Sequence, residues 1–134
     1  MSTIAKDIMS TKLIVAREGM NMEDAVKLLV NNKITGLPVV DEQGVMVGIL
    51  SEYDIIAKVG KEEFIKPEMF RDKIKFTLKV ESVSEDTPLN EVLDRFIQKK
   101  MRRLPVLDKE KKLVGIISRR DIMKVLFYRA KVGG

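Results

Sequence analysis

Two stretches pair a hydroxyl with a carboxylate three residues on, Ser51-Glu52-Tyr53-Asp54 and Ser118-Arg119-Arg120-Asp121. Ahead of an apolar run, Ser-x-x-Asp is first of all a helix capping box, in which the hydroxyl and the carboxylate each accept a backbone N–H. The same spacing has a second use. A helix N-terminus offers free N–H groups and a partial positive charge, both of which attract phosphate. An adjacent Asp can accept both hydroxyls of a ribose. The spacing alone leaves both uses open. In the second stretch Arg119 and Arg120 fall in the first helical turn, where the macrodipole disfavours cations by a few tenths of a kcal/mol each. Glu52 and Tyr53 hold that place in the first. The uncompensated cost points to an anion, with Arg102 and Arg103 expected nearby; the bland alternative is that long side chains reach solvent.

Other chemistry is scarce. The chain has no His, which removes the usual general base and the commonest metal ligand. It has no Cys, which removes thiolate nucleophiles, structural zinc sites and disulfides. Neither GxxxxGK[ST] nor GxGxxG occurs. The expectation is a protein that is not an enzyme, holds no metal and requires no cofactor. With 45% hydrophobic residues among 134 a core can form. No apolar run approaches the roughly 18–20 residues of a membrane span, so a cytoplasmic location without membrane association is expected. The net charge of +5 is unevenly spread: Met1–Pro67 carries 8 Lys and Arg against 10 Asp and Glu, and Glu68–Gly134 carries 17 against 10. A basic second half suits an anion, or is a solvated Lys-rich surface.

These residues recur because the chain repeats itself. Leu37-Pro38-Val39-Val40-Asp41 aligns with Leu104-Pro105-Val106-Leu107-Asp108 at an offset of 67. The same offset pairs Val47-Gly48-Ile49 with Val114-Gly115-Ile116, Ser51 with Ser118 and Asp54 with Asp121. Repeats set the architecture: residues 1–60 form one copy, 61–76 a connector, and 77–134 the second copy.

Each copy reads β-α-β-β-α, an α+β fold. A β-rich segment (Lys12–Ala16; Thr77–Val83) precedes a helix carrying Met22, Ala25, Val26 and Leu29, or Leu89, Val92, Leu93 and Phe96, at helical spacing. Asn21 is expected to cap the first. Thr87 is expected to cap the second, with Pro88 at the first helical position. Strands Leu37–Val40 and Val45–Leu50 follow, with counterparts Leu104–Leu107 and Leu113–Ile117. The Pro of each Leu-Pro is expected first in its strand, where no ladder donor is missed, and Gly48 and Gly115 where a side chain would strike a neighbouring sheet, the alternative being close approach of a ligand. The closing helices should turn Ile55 and Ile56, or Ile122, Val125 and Leu126, inward. Phe64, Ile65, Met69 and Phe70 suggest that the connector packs down. So short a unit cannot cover its apolar sheet face alone. Packing the two copies sheet to sheet is the cheapest solution and creates clefts at the seam, where ligands tend to bind.

The strings I-T-G-L-P-V-V-D and V-G-I-L-S-E-Y-D-I, echoed by R-R-L-P-V-L-D and V-G-I-I-S-R-R-D-I, resemble the CBS-domain signature, and Asp7-Ile8-Met9 resembles its opening. The second copy has only Asp72-Lys73-Ile74 as a loose opening. The resemblance spans essentially the whole chain. It implies a stand-alone CBS-domain pair, or Bateman module, of prokaryotic or archaeal type with pseudo-twofold symmetry. Such a module is regulatory and binds AMP, ADP, ATP or S-adenosylmethionine. It further implies that Asp54 and Asp121 hold ribose and that Ser51 and Ser118 lie near phosphate, where the charge argument also puts Arg102, Arg103, Arg119 and Arg120. Thr35, Gly36, Leu37 and Pro38, with Leu104 and Pro105, would line adenine and ribose, partly through backbone. Ile14, Val15 and Ala16, with Ser82 and Val83, would complete the clefts. A homodimer is expected, since Ile122, Val125, Leu126 and Phe127 cover more of the last helix than one core contact needs; any regulated protein partner is unknown. The competing reading, a basic nucleic-acid-binding protein, rests on a pI near 9.4, but 5% aromatics and no Trp leave few stacking platforms.

Overall fold

The computed structural model describes residues 3–78 and 80–133. The chain forms two compact units, Ile14–Val80 and Met1–Leu13 with Glu81–Gly134.

In the first of these, β1 (Ala16–Arg17) leads to α2 (Met22–Asn32), β2 (Gly36–Val40), β3 (Met46–Ser51) and α3 (Glu52–Val59). The sheet order is β1-β2-β3, with β1 parallel and β3 antiparallel to β2. Asn21 accepts the Asp24 amide at 2.9 Å and caps α2 as expected. Ala16, Met22, Ala25, Leu29, Leu37, Val39, Leu50 and Ile74 form the core.

The second unit repeats this plan with β4 (Val83–Ser84), α4 (Leu89–Lys99), β5 (Arg103–Leu107), β6 (Leu113–Ser118) and α5 (Arg119–Lys131). Its core holds Val83, Val92, Leu104, Val106 and Ile117, each 67 residues beyond a core residue of the first unit. Even the ladder irregularity recurs, between Val39 and Val40 and between Val106 and Leu107.

One further core member of each unit comes from a segment outside these elements. Ala5, in the short helix α1 (Ala5–Ile8), is buried among Val92 and Leu104, not with the copy it precedes. Thr3 carbonyl accepts the Leu89 amide (2.9 Å), the Ala5 amide donates to Thr87, and Ser10 exchanges both backbone bonds with Ile116. Residues 72–77 do the same in the other unit. Asp72 carbonyl accepts from Met22 (2.8 Å), Ile74 donates to Met20, and Thr77 exchanges both bonds with Ile49. Each unit is thus closed by a strap, and each strap satisfies a helix-start amide that the helix itself leaves orphaned.

Several local expectations are corrected. The first strands are two residues each, shorter than Lys12–Ala16 and Thr77–Val83, because only Ala16–Arg17 and Val83–Ser84 find ladder partners; Lys79, within the second expected segment, lies outside the described residues. Pro88 is the N-cap of α4, not its first residue, and Thr87 does not cap it. The Thr87 hydroxyl instead accepts the Ser84 amide at 3.0 Å across the β4–α4 turn. Pro38 and Pro105 are third in their strands, which they can be because β1 and β4 pair only with the two residues directly after each proline, Val39–Val40 and Val106–Leu107. Gly48 and Gly115 do avoid a clash, but with the strap. A β-carbon at 48 would strike Phe76 and the Thr77 carbonyl, and one at 115 would strike the Met9 side chain. Ile56 and Leu126 are exposed, whereas Ile55 packs on its core and Ile122 is buried. In the connector Phe70 packs on the core and Pro67–Arg71 is a 3-10 turn, but Phe64 and Ile65 are exposed.

Candidate functional site

In each unit the entry of the middle strand meets the start of the closing helix. Gly36 is the ladder partner of Ser51, and the Glu52 amide donates to the Thr35 carbonyl at 2.9 Å. Arg103 is likewise the partner of Ser118, and the Arg119 amide donates to the Arg102 carbonyl at 3.2 Å. Ladder pairing therefore brings Thr35 and Gly36 to Ser51–Asp54, and Arg102 and Arg103 to Ser118–Asp121.

Both capping boxes form. Ser51 Oγ accepts the Asp54 amide at 3.2 Å, and Asp54 Oδ2 accepts the Ser51 amide at 2.9 Å. The second copy has 3.2 and 2.8 Å, and Ser118 Oγ also reaches Asp121 Oδ2 at 3.0 Å. The cap uses one carboxylate oxygen only. Among the described residues Oδ1 of Asp54 and of Asp121 accepts no hydrogen bond, so each half-buried carboxylate keeps an acceptor for another molecule. The amides are more heavily committed. Cap and strand entry occupy those of residues 51, 52 and 54, leaving only the Tyr53 amide without a partner among the described residues; Arg120 is its counterpart.

The arginines divide. Arg119 lies back over the end of α4, donating from Nε to the Met101 carbonyl at 2.8 Å and from Nη2 to the Lys100 carbonyl at 3.2 Å. The partial negative charge of a helix C-terminus is favourable for a cation, so the compensation expected of an external anion is supplied here by the chain. Arg102, Arg103 and Arg120 are exposed and form no ion pair among the described residues.

The lining residues are more deeply placed than their expected role suggests. The side chains of Ala16, Leu37, Val83 and Leu104 belong to the cores, and Pro38 and Pro105 are buried. Another molecule could meet them only through backbone. Ile14, Val15 and Ser82 are half-buried beside the first strands, and the Ser82 carbonyl accepts Arg95 Nη1 at 3.2 Å. Sequence reasoning missed a cleft of about 330 Å³ between α2 and α3, lined by Val26, Val30, Ile55 and Ile56 together with Lys33, Thr35 and Glu52. Its signal was present in Ile56, an apolar residue that the core leaves unused. Among the described residues no group of His, Cys, Asp or Glu is placed to hold a metal ion, and no helix is long and apolar enough to cross a membrane.

A twice-written α+β unit with a Ser-x-x-Asp helix start at each strand entry defines a paired-repeat protein. The family model of the CBS domain matches residues 5–61 and 73–128, and the chain belongs to that family. It is 31% identical over 127 residues to a 17.7 kDa protein of Acidianus ambivalens, covering 94% of this chain and 74% of that one. It is 30% identical over 123 residues to L-aspartate semialdehyde sulfurtransferase of Methanocaldococcus jannaschii, covering 92% of this chain but only 23% of that protein. Among solved structures, CBSX2 of Arabidopsis thaliana in complex with AMP superposes with a TM-score of 0.79 at 29% identity, covering 93% of this chain and 96% of that one. The CBS domain pair of protein MJ0100, in complex with 5'-methylthioadenosine and S-adenosyl-L-methionine, gives 0.73 at 30% identity and covers 96% and 99%.

Proposed function

We propose that the chain is a regulatory module that binds an adenosine-type ligand, AMP, ADP, ATP or S-adenosylmethionine, and that it is not an enzyme. The observation that carries this is the carboxylate of Asp54 and of Asp121, capped through one oxygen and open at the other, set beside a strand entry. Ribose would be held at that open oxygen. Relatives at 29% and 30% identity crystallised with AMP and with adenosyl ligands support the ligand class. Ser51 and Ser118 act through the cap; Arg102, Arg103 and Arg120 are the cations left for phosphate. Backbone of residues 14–16, 35–38, 82–83 and 104–105 would meet the base. The ligand regulates and is no cofactor of a reaction. The module acts as a homodimer, since both units leave large apolar side chains exposed on their helices. Nothing in the fold or in the relatives favours nucleic acid over this reading.

A thermal-shift comparison of AMP, ADP, ATP and S-adenosylmethionine tests it. A ligand at about 100 times its Kd stabilises by about 2.7 kcal/mol, a rise on the order of 10 °C for a chain of this size. At least one of the four should raise the melting temperature in this way. No shift with any of them at millimolar concentration overturns the proposal.

A further inference from the structure

Three cations of the closing helices α3 and α5 have partners within the chain. Lys58 pairs with Asp72 at 3.3 Å, Arg119 reaches the Lys100 and Met101 carbonyls, and Arg129 meets the Thr3 hydroxyl. The other three, Arg120, Lys124 and Lys131, all lie in α5 and are exposed. Their side chains form no hydrogen bond or ion pair among the described residues. With Phe127, 68% exposed, they recur at i, i+4, i+7 and i+11, which is one side of a helix. Lys131 Nζ stands 5.8 Å from the Phe127 ring centroid, so the two are neighbours on that side. Ile122, Val125 and Arg129 are the less exposed positions and mark the inner side, and Met123 and Leu126 form a separate line.

The fold does not ask for this stripe. The matching places in the first copy are Tyr53, Ala57 and Gly60, none of them a cation, and α3 has 8 residues where α5 has 13. Nor is it an ordinary solvated surface, which mixes both signs: residues 122–134 contain no Asp or Glu.

We propose that this side of α5 is the docking surface for a partner protein, which meets it with an acidic amphipathic helix. A helix presents its own side chains at the same intervals. Acids at three positions and an apolar residue at the fourth therefore answer Arg120, Lys124, Lys131 and Phe127 in order, over about 16 Å. A nucleic-acid duplex brings a charged phosphate backbone and nothing apolar to set against Phe127. A bilayer needs a broad apolar face, and the line of Met123 and Leu126 that would supply it is taken by the homodimer reading above. Arg120 is the one residue shared with the phosphate reading. Lys124 and Lys131 lie about one and three turns further along the helix and stand apart from it.

A fluorescein-labelled synthetic helix with Glu at i, i+4 and i+11 and Leu at i+7 is the probe, and a peptide of the same composition in scrambled order is its control. The pattern reads alike in both directions, so the probe serves for either orientation. Binding to the full chain is followed by fluorescence anisotropy, beside a DNA duplex and vesicles containing phosphatidylglycerol. The expected result is micromolar affinity for the probe and about tenfold weaker binding of the scrambled peptide. Lys124→Glu combined with Lys131→Glu should weaken the probe by about tenfold as well, at an unchanged melting temperature. Should that variant fail to fold, Lys124→Gln with Lys131→Gln gives the same reading at a smaller loss. Equal affinity for probe and scramble, wild-type affinity in the variants, or no binding at millimolar concentration overturns the proposal. So does tighter binding of the duplex or of the vesicles than of the probe, which gives the stripe to phosphate.

Discussion

Gly115 in β6 lies against Met9 of the strap so closely that a β-carbon there would come within 2.6 Å of Met9 Cγ and 2.9 Å of its Cβ. Gly48 stands in the same relation to Phe76 and to the Thr77 carbonyl. Both are strand glycines made necessary by the strap that lies against them, not by a turn. Overpacking costs roughly 1–3 kcal/mol. Gly48→Ala belongs at the upper end, because its obstacle includes backbone, and Gly115→Ala at the lower end, because Met9 is flexible. Urea melts should show this order. In a Met9→Ala background the cost of Gly115→Ala should shrink; an unchanged cost would mean that the strap is not what the glycine accommodates.

The straps predict a crossed pattern of protection. A chain lacking residues 1–10 loses the bonds of Thr3, Ala5, Lys6 and Ser10 to residues 85–116, at roughly 1 kcal/mol each, as well as buried Ala5. By hydrogen exchange, the amides of Leu89 and Ile116 should lose protection more than those of Met22 and Ile49, although the deleted segment adjoins the latter in sequence. Greater loss at Met22 and Ile49 would contradict the strap assignment.

Much of this was readable from an offset of 67. The paired strands, their irregularity and the amphipathic helices recur at it, since each copy states the same hydrophobic periods independently. The straps were not readable. The offset makes residues 5–10 and 72–77 equivalent, but does not say which core receives Ala5 and which Ile74. The site was half legible: Ser-x-x-Asp specified both capping boxes because that interaction is local. Arg119 was misjudged because its partners are 18 and 19 residues upstream, and a guanidinium is long enough to reach them. Phe64 and Ile65 misled for another reason, as composition marks a segment as apolar without saying that a core has room for it.

Asp121 serves a cap and, on the proposal above, a ribose, and the two roles separate by substitution. Asp121→Ala removes both; the cap is worth about 0.5–2 kcal/mol, and hydrogen bonds to a charged group about 1.5–3 kcal/mol. Asp121→Asn keeps an acceptor for the Ser118 amide but removes the charge. Calorimetry should find nucleotide affinity down by about tenfold or more in both, with most of the stability retained in Asn by urea melts. Asp54→Ala follows the same rule if its own site is used. Wild-type affinity in both single alanine variants and in their double variant would refute ribose recognition by these residues.

Arg119 and Arg120 are neighbours with opposite expected behaviour. Arg119 holds the segment entering β5 through the Lys100 and Met101 carbonyls, and its exposed side chain forms no contact with an acid among the described residues. Its replacement by Ala should loosen that entry and lower affinity for adenosine, AMP and ATP by a similar factor. Arg120 is exposed beside the helix-start amide left open, and its replacement by Ala should leave adenosine unchanged. The loss should grow from AMP to ATP, because charge-assisted bonds to phosphate are about twice as strong as neutral ones. Raising the salt concentration should shrink the Arg120 effect through screening and spare the Arg119 effect, which is one of position. Titrations of the three ligands at two salt concentrations read all of this. If Arg119→Ala shows the phosphate-graded, salt-sensitive loss and Arg120→Ala shows none, the helix-end contacts do not define the role of Arg119, and the assignment of these two residues is reversed.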